Sequence, residues 1–196
     1  MEIIKSEESL KLVEEIGKTV HTFHHYHHIL WDIAQLYGDK PITYVEIGCY
    51  AGASACLMLQ RPNTTVISVD YGKPILPKIA IENINANIQH GNTHTYICGD
   101  SRYISTRQKL IDTLKGNWID ILFIDGGHEF QLVIDDFTNY NDLVKKEGFI
   151  VFDDYDVVGC SPEVPIAVDY LDKIGMFVGY KLRERFTNEY ILEKCL

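Results

Sequence analysis

Ile119–Tyr155, IDILFIDGGHEFQLVIDDFTNYNDLVKKEGFIVFDDY, constrains the fold of this chain more than any other stretch. IDILFID is a short apolar run without polar alternation, the pattern of a strand buried on both faces of a parallel sheet. The next segment places Phe130, Val133, Ile134, Phe137, Tyr140, Leu143 and Val144 at helical spacing, and Gly148 stands where a helix hands over to a strand. GFIVFDDY is a second buried strand. Neighbouring strands lie roughly 5 Å apart, so Asp125, Asp153 and Asp154 are expected together at the carboxyl edge, where open α/β sheets bind ligands. Three crowded acids repel one another unless a cation or a proton intervenes.

The same alternation runs through most of the chain. Strands are expected at Thr43–Gly48, Thr65–Asp70, Thr95–Gly99, Ile119–Asp125 and Gly148–Asp153. Helices are expected near Ala53–Gln60, Pro77–Gln89, Ile104–Leu114, Phe130–Val144 and Ile166–Ile174. This order implies an α/β fold with a parallel sheet and right-handed crossovers. The runs Phe177–Leu182 and Glu189–Lys194, parted by the polar stretch Arg183–Asn188, read as an antiparallel hairpin.

Ahead of the first strand, Ser6–Tyr37 reads as one long helix with a break near Gly17 or Thr22. Ile16, Val20, Phe23, His27, Leu30 and Ala34 form its apolar stripe. His27 on that stripe reads as a hydrogen-bonded core histidine. His21, His24, His25 and His28 fall on one side of the helix, and an i, i+4 histidine pair can chelate a metal. No acid or cysteine follows at a telling offset, so a polar helix face is the preferred reading.

The 196 residues suit one domain with a substantial core. A net charge of −10 disfavours nucleic acid and anionic membranes as partners. No apolar run approaches the roughly 18 residues that span a bilayer. The acidic start, MEIIKSEESL, lacks the pattern of a secretory signal. Five cysteines without a C-x-x-C pair suit free thiols in a reducing compartment. Together these features point to the cytoplasm.

The first strand runs into YVEIGCYAGASACLML. Glycine at the strand end, a second four residues on, and a helix behind them form a turn suited to cradling a nucleotide. Gly48 would let the backbone pass close to a ligand, and Gly52 would let the helix pack on the sheet. Asp70, at the end of the second strand, is placed to accept from ribose hydroxyls. The third strand ends ICGDSR, offering Asp100 and Ser101 to an adenine edge. Each feature also has a plain explanation as a cap or turn residue; their convergence on one sheet edge favours a ligand site.

The E-x-G-x-x-x-G of Glu46–Gly52, the acid Asp70, G-D-S at Gly99–Ser101, F-I-D-G-G-H and F-D-D-Y resemble a class I S-adenosylmethionine-dependent methyltransferase. More narrowly, they are similar to the metal-dependent O-methyltransferases, of the catechol type and of the small bacterial group acting on antibiotic sugars. The resemblance covers residues 43–195. It implies a three-layer αβα Rossmann-like fold: a seven-stranded, mostly parallel sheet with an antiparallel C-terminal hairpin. Residues 1–40 would be an N-terminal helical extension and 41–196 the methyltransferase domain. It also implies that Glu46, Gly48, Tyr50, Ala51 and Gly52 hold the methionine part, Asp70 the ribose, and Asp100, Ser101 and Arg102 the adenine.

By the same resemblance Asp125, Asp153 and Asp154 stand where that branch holds magnesium. His128 stands where catechol-type enzymes carry a lysine, a departure that makes the base an imidazole. Magnesium suits three carboxylates because it is a hard ion that takes oxygen ligands. Adjacent strand residues point to opposite faces, so Asp153 and Asp154 can share an ion only if the strand ends there. Otherwise one of them is a cap or loop acid. The acceptor is expected to be a small-molecule hydroxyl, on a sugar or a catechol-like diol. The N-terminal helix is suited to cover the pocket or a homodimer seam. The rival readings are an NAD-dependent oxidoreductase, which would want G-x-G-x-x-G, a non-catalytic ligand-binding member of the fold, and a nucleic-acid methyltransferase.

Overall fold

The structure is a computed structural model that describes residues 6–20, 27–73, 75–156, 160–185 and 188–196. Among the described residues, seven strands form one sheet: β1 (Ile42–Ile47), β2 (Thr64–Asp70), β3 (Thr93–Cys98), β4 (Ile119–Ile124), β5 (Val144–Phe152), β6 (Tyr180–Arg185) and β7 (Tyr190–Lys194). Their order is β3-β2-β1-β4-β5-β7-β6, with β1 to β5 parallel and β7 antiparallel to both neighbours. The helices are α1 (Glu7–Thr19), α2 (His28–Gln35), α3 (Ala53–Met58), α4 (Leu76–Asn87), α5 (Ile104–Leu114), α6 (Phe130–Tyr140) and α7 (Glu163–Lys173).

The unalternated apolar runs are explained by burial on both sides. In β4, Ile121 and Phe123 join one core, with Ile29, Leu30 and Ile33 of α2 and Ala55 and Met58 of α3. Ile119, Leu122 and Ile124 join the other, with Leu110 of α5, Phe137 of α6 and Val168 of α7. This is the expected three-layer arrangement, and the terminal hairpin is present as read. Phe152 stacks on Phe137 and Phe177 meets it edge-on, tying α6 to the hairpin side of the sheet.

The N-terminal segment is helical and broken, with the break at Val20, between the Gly17 and Thr22 positions that the sequence suggests. Ser6 caps α1 by accepting from Ser9 N at 3.0 Å, and the helix ends at Val20, whose φ of −109° and ψ of 113° are extended. A second helix begins at His28. The pair is bridged by Asp32, whose carboxylate accepts from the hydroxyls of Ser6 and Ser9 at 2.9 and 3.2 Å. His21, His24 and His25 lie outside the described residues. At the far end, the Tyr37 hydroxyl donates to the Asp120 carbonyl at 3.0 Å, and Asp120 pairs with Lys145. The helices of the extension therefore share the core of the sheet they cover.

Other boundaries move by one to a few residues. The β5 strand begins four residues before Gly148, and the tail of the expected fourth crossover helix is a 3₁₀ turn at Asn141–Leu143.

Candidate active site

Strand order reverses between β1 and β4, because β1 leads outward to β2 and β3 while β4 leads to β5. Such a reversal opens a crevice at the strands' carboxyl ends. Hydrogen bonds continue past the strand ends on either side: Gly48 N donates to Val69 O and Asp125 N to Ile47 O, each at 2.8 Å. Asp153 N donates to Ile124 O at 3.0 Å. These bonds fix where each following side chain starts.

Gly48, at φ +93°, is required by a contact within the protein, whatever approaches it from outside. A Cβ on it would sit 1.9 Å from the Asp125 carbonyl oxygen. The close approach is thus between the β1 and β4 tips. Gly52, at φ +86°, admits Ile84 of α4, which a Cβ would meet at 2.9 Å, so it serves helix–helix packing more than helix–sheet packing. The turn between them is held from outside: Asn83 donates to Ala51 O at 2.9 Å, and Tyr50 is exposed at φ +46°.

Asp70 braces this turn. Its Oδ2 accepts from Cys49 N and Tyr50 N at 2.9 and 3.1 Å, and its Oδ1 from Gly72 N at 2.7 Å. Each carboxylate oxygen offers about two acceptor sites, so capacity remains for a further donor. Glu46 lies fully buried beneath the turn. Its Oε2 accepts from Ser54 at 2.6 Å and Tyr44 at 3.1 Å, and its Oε1 from Ser68 at 2.6 Å. Burial pushes its carboxyl above the ordinary range, against the pull of the Ser54 and Ser68 hydroxyls. Ser68 also meets His94 Nε2 at 2.9 Å, and burial lowers that imidazole to about 4.

At the β3 tip, Asp100 is engaged by Arg102 through Nε at 2.9 Å, Nη2 at 2.6 Å and the backbone N at 3.0 Å. This bidentate clasp holds Asp100 below the usual carboxylate range. The carbonyl of Ser101 accepts from the Tyr140 hydroxyl at 2.7 Å. Behind this loop lies Asp136, fully buried on α6 and pushed up to about 7, by desolvation first.

The acids of β4 and β5 do come together. The β5 strand ends at Phe152, and Asp154 takes a left-handed φ of +57°. That break of the two-residue alternation lets both carboxylates reach Asp125. One oxygen or nitrogen each from Asp125, Asp154 and His128 lies within 4.8 Å of the others, and the same holds for Asp125, Asp153 and His27. Asp125 is pushed well above the ordinary carboxylate range, by burial first and then by Asp153, Asp154 and Glu46. Asp153 is buried, and its Oδ1 has no hydrogen-bond partner.

His128 Nε2 faces Asp154 Oδ2 at 3.1 Å, and its Nδ1 meets Ser161 Oγ at 3.0 Å. Ser161 gives its one proton to Asp154 Oδ2 at 2.8 Å, so it accepts from His128. Nδ1 therefore carries a proton, and Nε2 can hydrogen-bond the same Asp154 oxygen only when it carries one too, being free to accept a proton once it turns from that carboxylate. Neither Ser161 nor His27 was singled out as a site residue from sequence. Ser161 comes from the loop after β5, where no periodicity marks it, and His27 has the pattern of a core residue.

The family model for a methyltransferase domain matches residues 45–155. Protein R132 of Acanthamoeba polyphaga mimivirus is 40% identical over 152 residues, covering 76% of this chain and 67% of that one. Among solved structures, the O-methyltransferase from Bacillus cereus in complex with SAH superposes with a TM-score of 0.67 at 17% identity, over 99% of this chain and 93% of that one. The MycE methyltransferase from the mycinamycin biosynthetic pathway, in complex with Mg, SAH and mycinamycin VI, also gives 0.67, at 15% identity over 97% of this chain. The chain spans 55% of the length of that enzyme. Matched by the methyltransferase-domain model over more than half of its residues and in fold across nearly its whole length, this chain belongs to the methyltransferase family.

Proposed function

We propose that the chain transfers a methyl group from S-adenosylmethionine to a hydroxyl of a small molecule, a sugar or a catechol-like diol, assisted by magnesium. The observation that carries this reading is that Asp125 meets Asp153 in one cluster and Asp154 with His128 in another, beside the Gly48–Gly52 turn at the sheet's point of reversal. The donor set fits a hard divalent ion: carboxylates around Asp125, which is raised by burial and then by its neighbours' charge, among them Asp153, which has an orphaned buried oxygen. That MycE was solved with Mg, SAH and mycinamycin VI together supports the combination in this fold.

When bound, the cofactor supplies an electrophilic methyl on a sulfonium, and the ion lowers the pKa of a hydroxyl that it contacts. The chain's own residues do the rest. The turn from Gly48 to Gly52, braced by Asp70 and floored by Glu46, holds the methionine part. Asp70 faces the ribose, and Asp100, Ser101 and Arg102 border the adenine. Asp125, Asp153 and Asp154 hold the ion. His128, with its proton kept at Nδ1 by Ser161, presents Nε2 to take the acceptor's proton. Fixing acceptor and donor in line contributes much of the rate.

The net charge of −10 favours a small-molecule acceptor over nucleic acid. Among the described residues no helix is long and apolar enough to cross a membrane. All five cysteines are free, which suits the cytoplasm. A homodimer, with the α1–α2 layer against a second copy, completes the reading.

The test is methyl transfer from labelled S-adenosylmethionine to a panel of sugars and diols, with and without EDTA. Transfer that is lost in EDTA and restored by magnesium supports the reading. Absence of cofactor binding by calorimetry at millimolar ligand rejects the cofactor site, and transfer unchanged by EDTA rejects the ion.

A further inference from the structure

The carboxylate cluster has a side that the three-acid description leaves out. His27 directly precedes α2, whose Ile29, Leu30 and Ile33 are pinned in the core under β4. Its ring stands edge-on to Phe123, with centroids 5.6 Å apart, two residues before Asp125. That packing fixes the imidazole at the carboxyl edge, where its Nε2 lies 3.6 Å from Asp153 Oδ2. The two side chains are almost wholly buried, at 6% and 2% exposure. A separation of 3.6 Å is too long for a hydrogen bond. It is the separation of two ligands on one ion: with bonds near 2.1 Å and angles from 90° to 120°, donor atoms stand roughly 3.0–3.6 Å apart. Asp125 completes the triad within 4.8 Å. Independently, Asp153 Oδ1 is buried with no hydrogen-bond partner.

We propose that His27, delivered by the N-terminal helical layer, is a nitrogen ligand of the cation held by Asp125 and Asp153. The inference rests on the metal reading above and deepens it. An oxygen-only cluster suits magnesium, whereas an imidazole shifts preference towards borderline divalent ions such as manganese or cobalt. The helical extension then has a chemical role, tuning which ion the site selects as well as covering the sheet.

The test uses the full chain stripped with EDTA and loaded with Mn2+ alone. Pulsed EPR reads coupling between the manganese and a 14N nucleus. Because His128 also borders Asp125, the measurement is made in His128→Ala, where the 14N coupling persists, and in His27→Gln/His128→Ala, where it disappears. By calorimetry His27→Gln weakens Mn2+ binding about tenfold or more, with a smaller loss for Mg2+. Should His27→Gln fold poorly, His27→Asn and the 14N signal of His128→Ala alone still decide the matter. Coupling absent in His128→Ala, or unchanged by the His27 substitution, overturns the proposal while leaving an oxygen-bound ion intact. No Mn2+ or Mg2+ binding by the unsubstituted chain overturns the metal reading itself.

Discussion

Replacing Gly48 by alanine perturbs the junction on which the whole crevice depends. The added Cβ would start 1.9 Å from the Asp125 carbonyl oxygen, against a floor of about 3.0 Å for real Cβ contacts, so the β1 and β4 tips must part by about 1.1 Å. The carbonyl is backbone and cannot swing aside as a flexible side chain would. The left-handed φ of +93° adds strain of about 1–3 kcal/mol for a residue with a Cβ. Parting the tips weakens two bonds at 2.8 Å, Gly48 N to Val69 O and Asp125 N to Ile47 O, each contributing about 1 kcal/mol. The total loss is about 3–5 kcal/mol, or roughly 6–20 °C in a domain of this size. Calorimetric melting with and without S-adenosylhomocysteine reads both consequences. A lower Tm and a cofactor affinity reduced at least about tenfold are expected. A variant that melts within a degree of the parent and binds cofactor normally would refute the claim that this close approach shapes the site.

Asp136→Asn tests the buried acid behind the Ser101 loop. Its folded pKa, about 7, lies above its unfolded value near 3.8. Its contribution is therefore complete below about pH 4 and lost as pH rises through 7, a swing of order 4 kcal/mol. The variant should gain on the parent at pH 8 and show little difference at pH 4 in urea melts; parallel pH profiles would refute this. Asp125→Asn removes an acid whose charged form is disfavoured by burial and by Asp153 and Asp154, so the variant's metal-free Tm should gain on the parent's as pH rises. The same variant should lose any thermal shift on adding magnesium, which the parent should show. Arg102→Ala frees Asp100 from its clasp and should weaken cofactor binding with little change in Tm, since the pair is largely exposed on the arginine side; an unchanged Kd would remove Arg102 from the adenine border.

The central fold was legible because burial on both faces leaves a signature that needs no knowledge of partners. IDILFID and GFIVF read as strands of a parallel sheet, and the acids closing them had to meet if those strands were neighbours. What stayed hidden depends on contacts between distant segments. The apolar stripe runs on through Val20, where the backbone turns extended, so spacing alone does not place the break that Gly17 or Thr22 suggests. A glycine in a turn does not announce what approaches it, so the contacts of Gly48 with Asp125 and of Gly52 with Ile84 are not legible in the sequence. The clasp of Asp100 by Arg102 is likewise a side-chain choice that ICGDSR alone does not declare. Asp153 and Asp154 share a target only through the +57° φ of Asp154, a backbone feature that Asp-Asp-Tyr alone does not declare. His27 matched a core stripe, and it is buried; only the tertiary structure sets it against Asp153.

The most direct measurement is a crystal structure of the chain grown with S-adenosylhomocysteine and magnesium. Density for the adenosyl group along the Gly48–Gly52 turn, with an ion touching Asp125, Asp153 and Asp154, is the predicted result. Clear density for the cofactor elsewhere, or carboxylates at saturating magnesium that surround no ion, would contradict it.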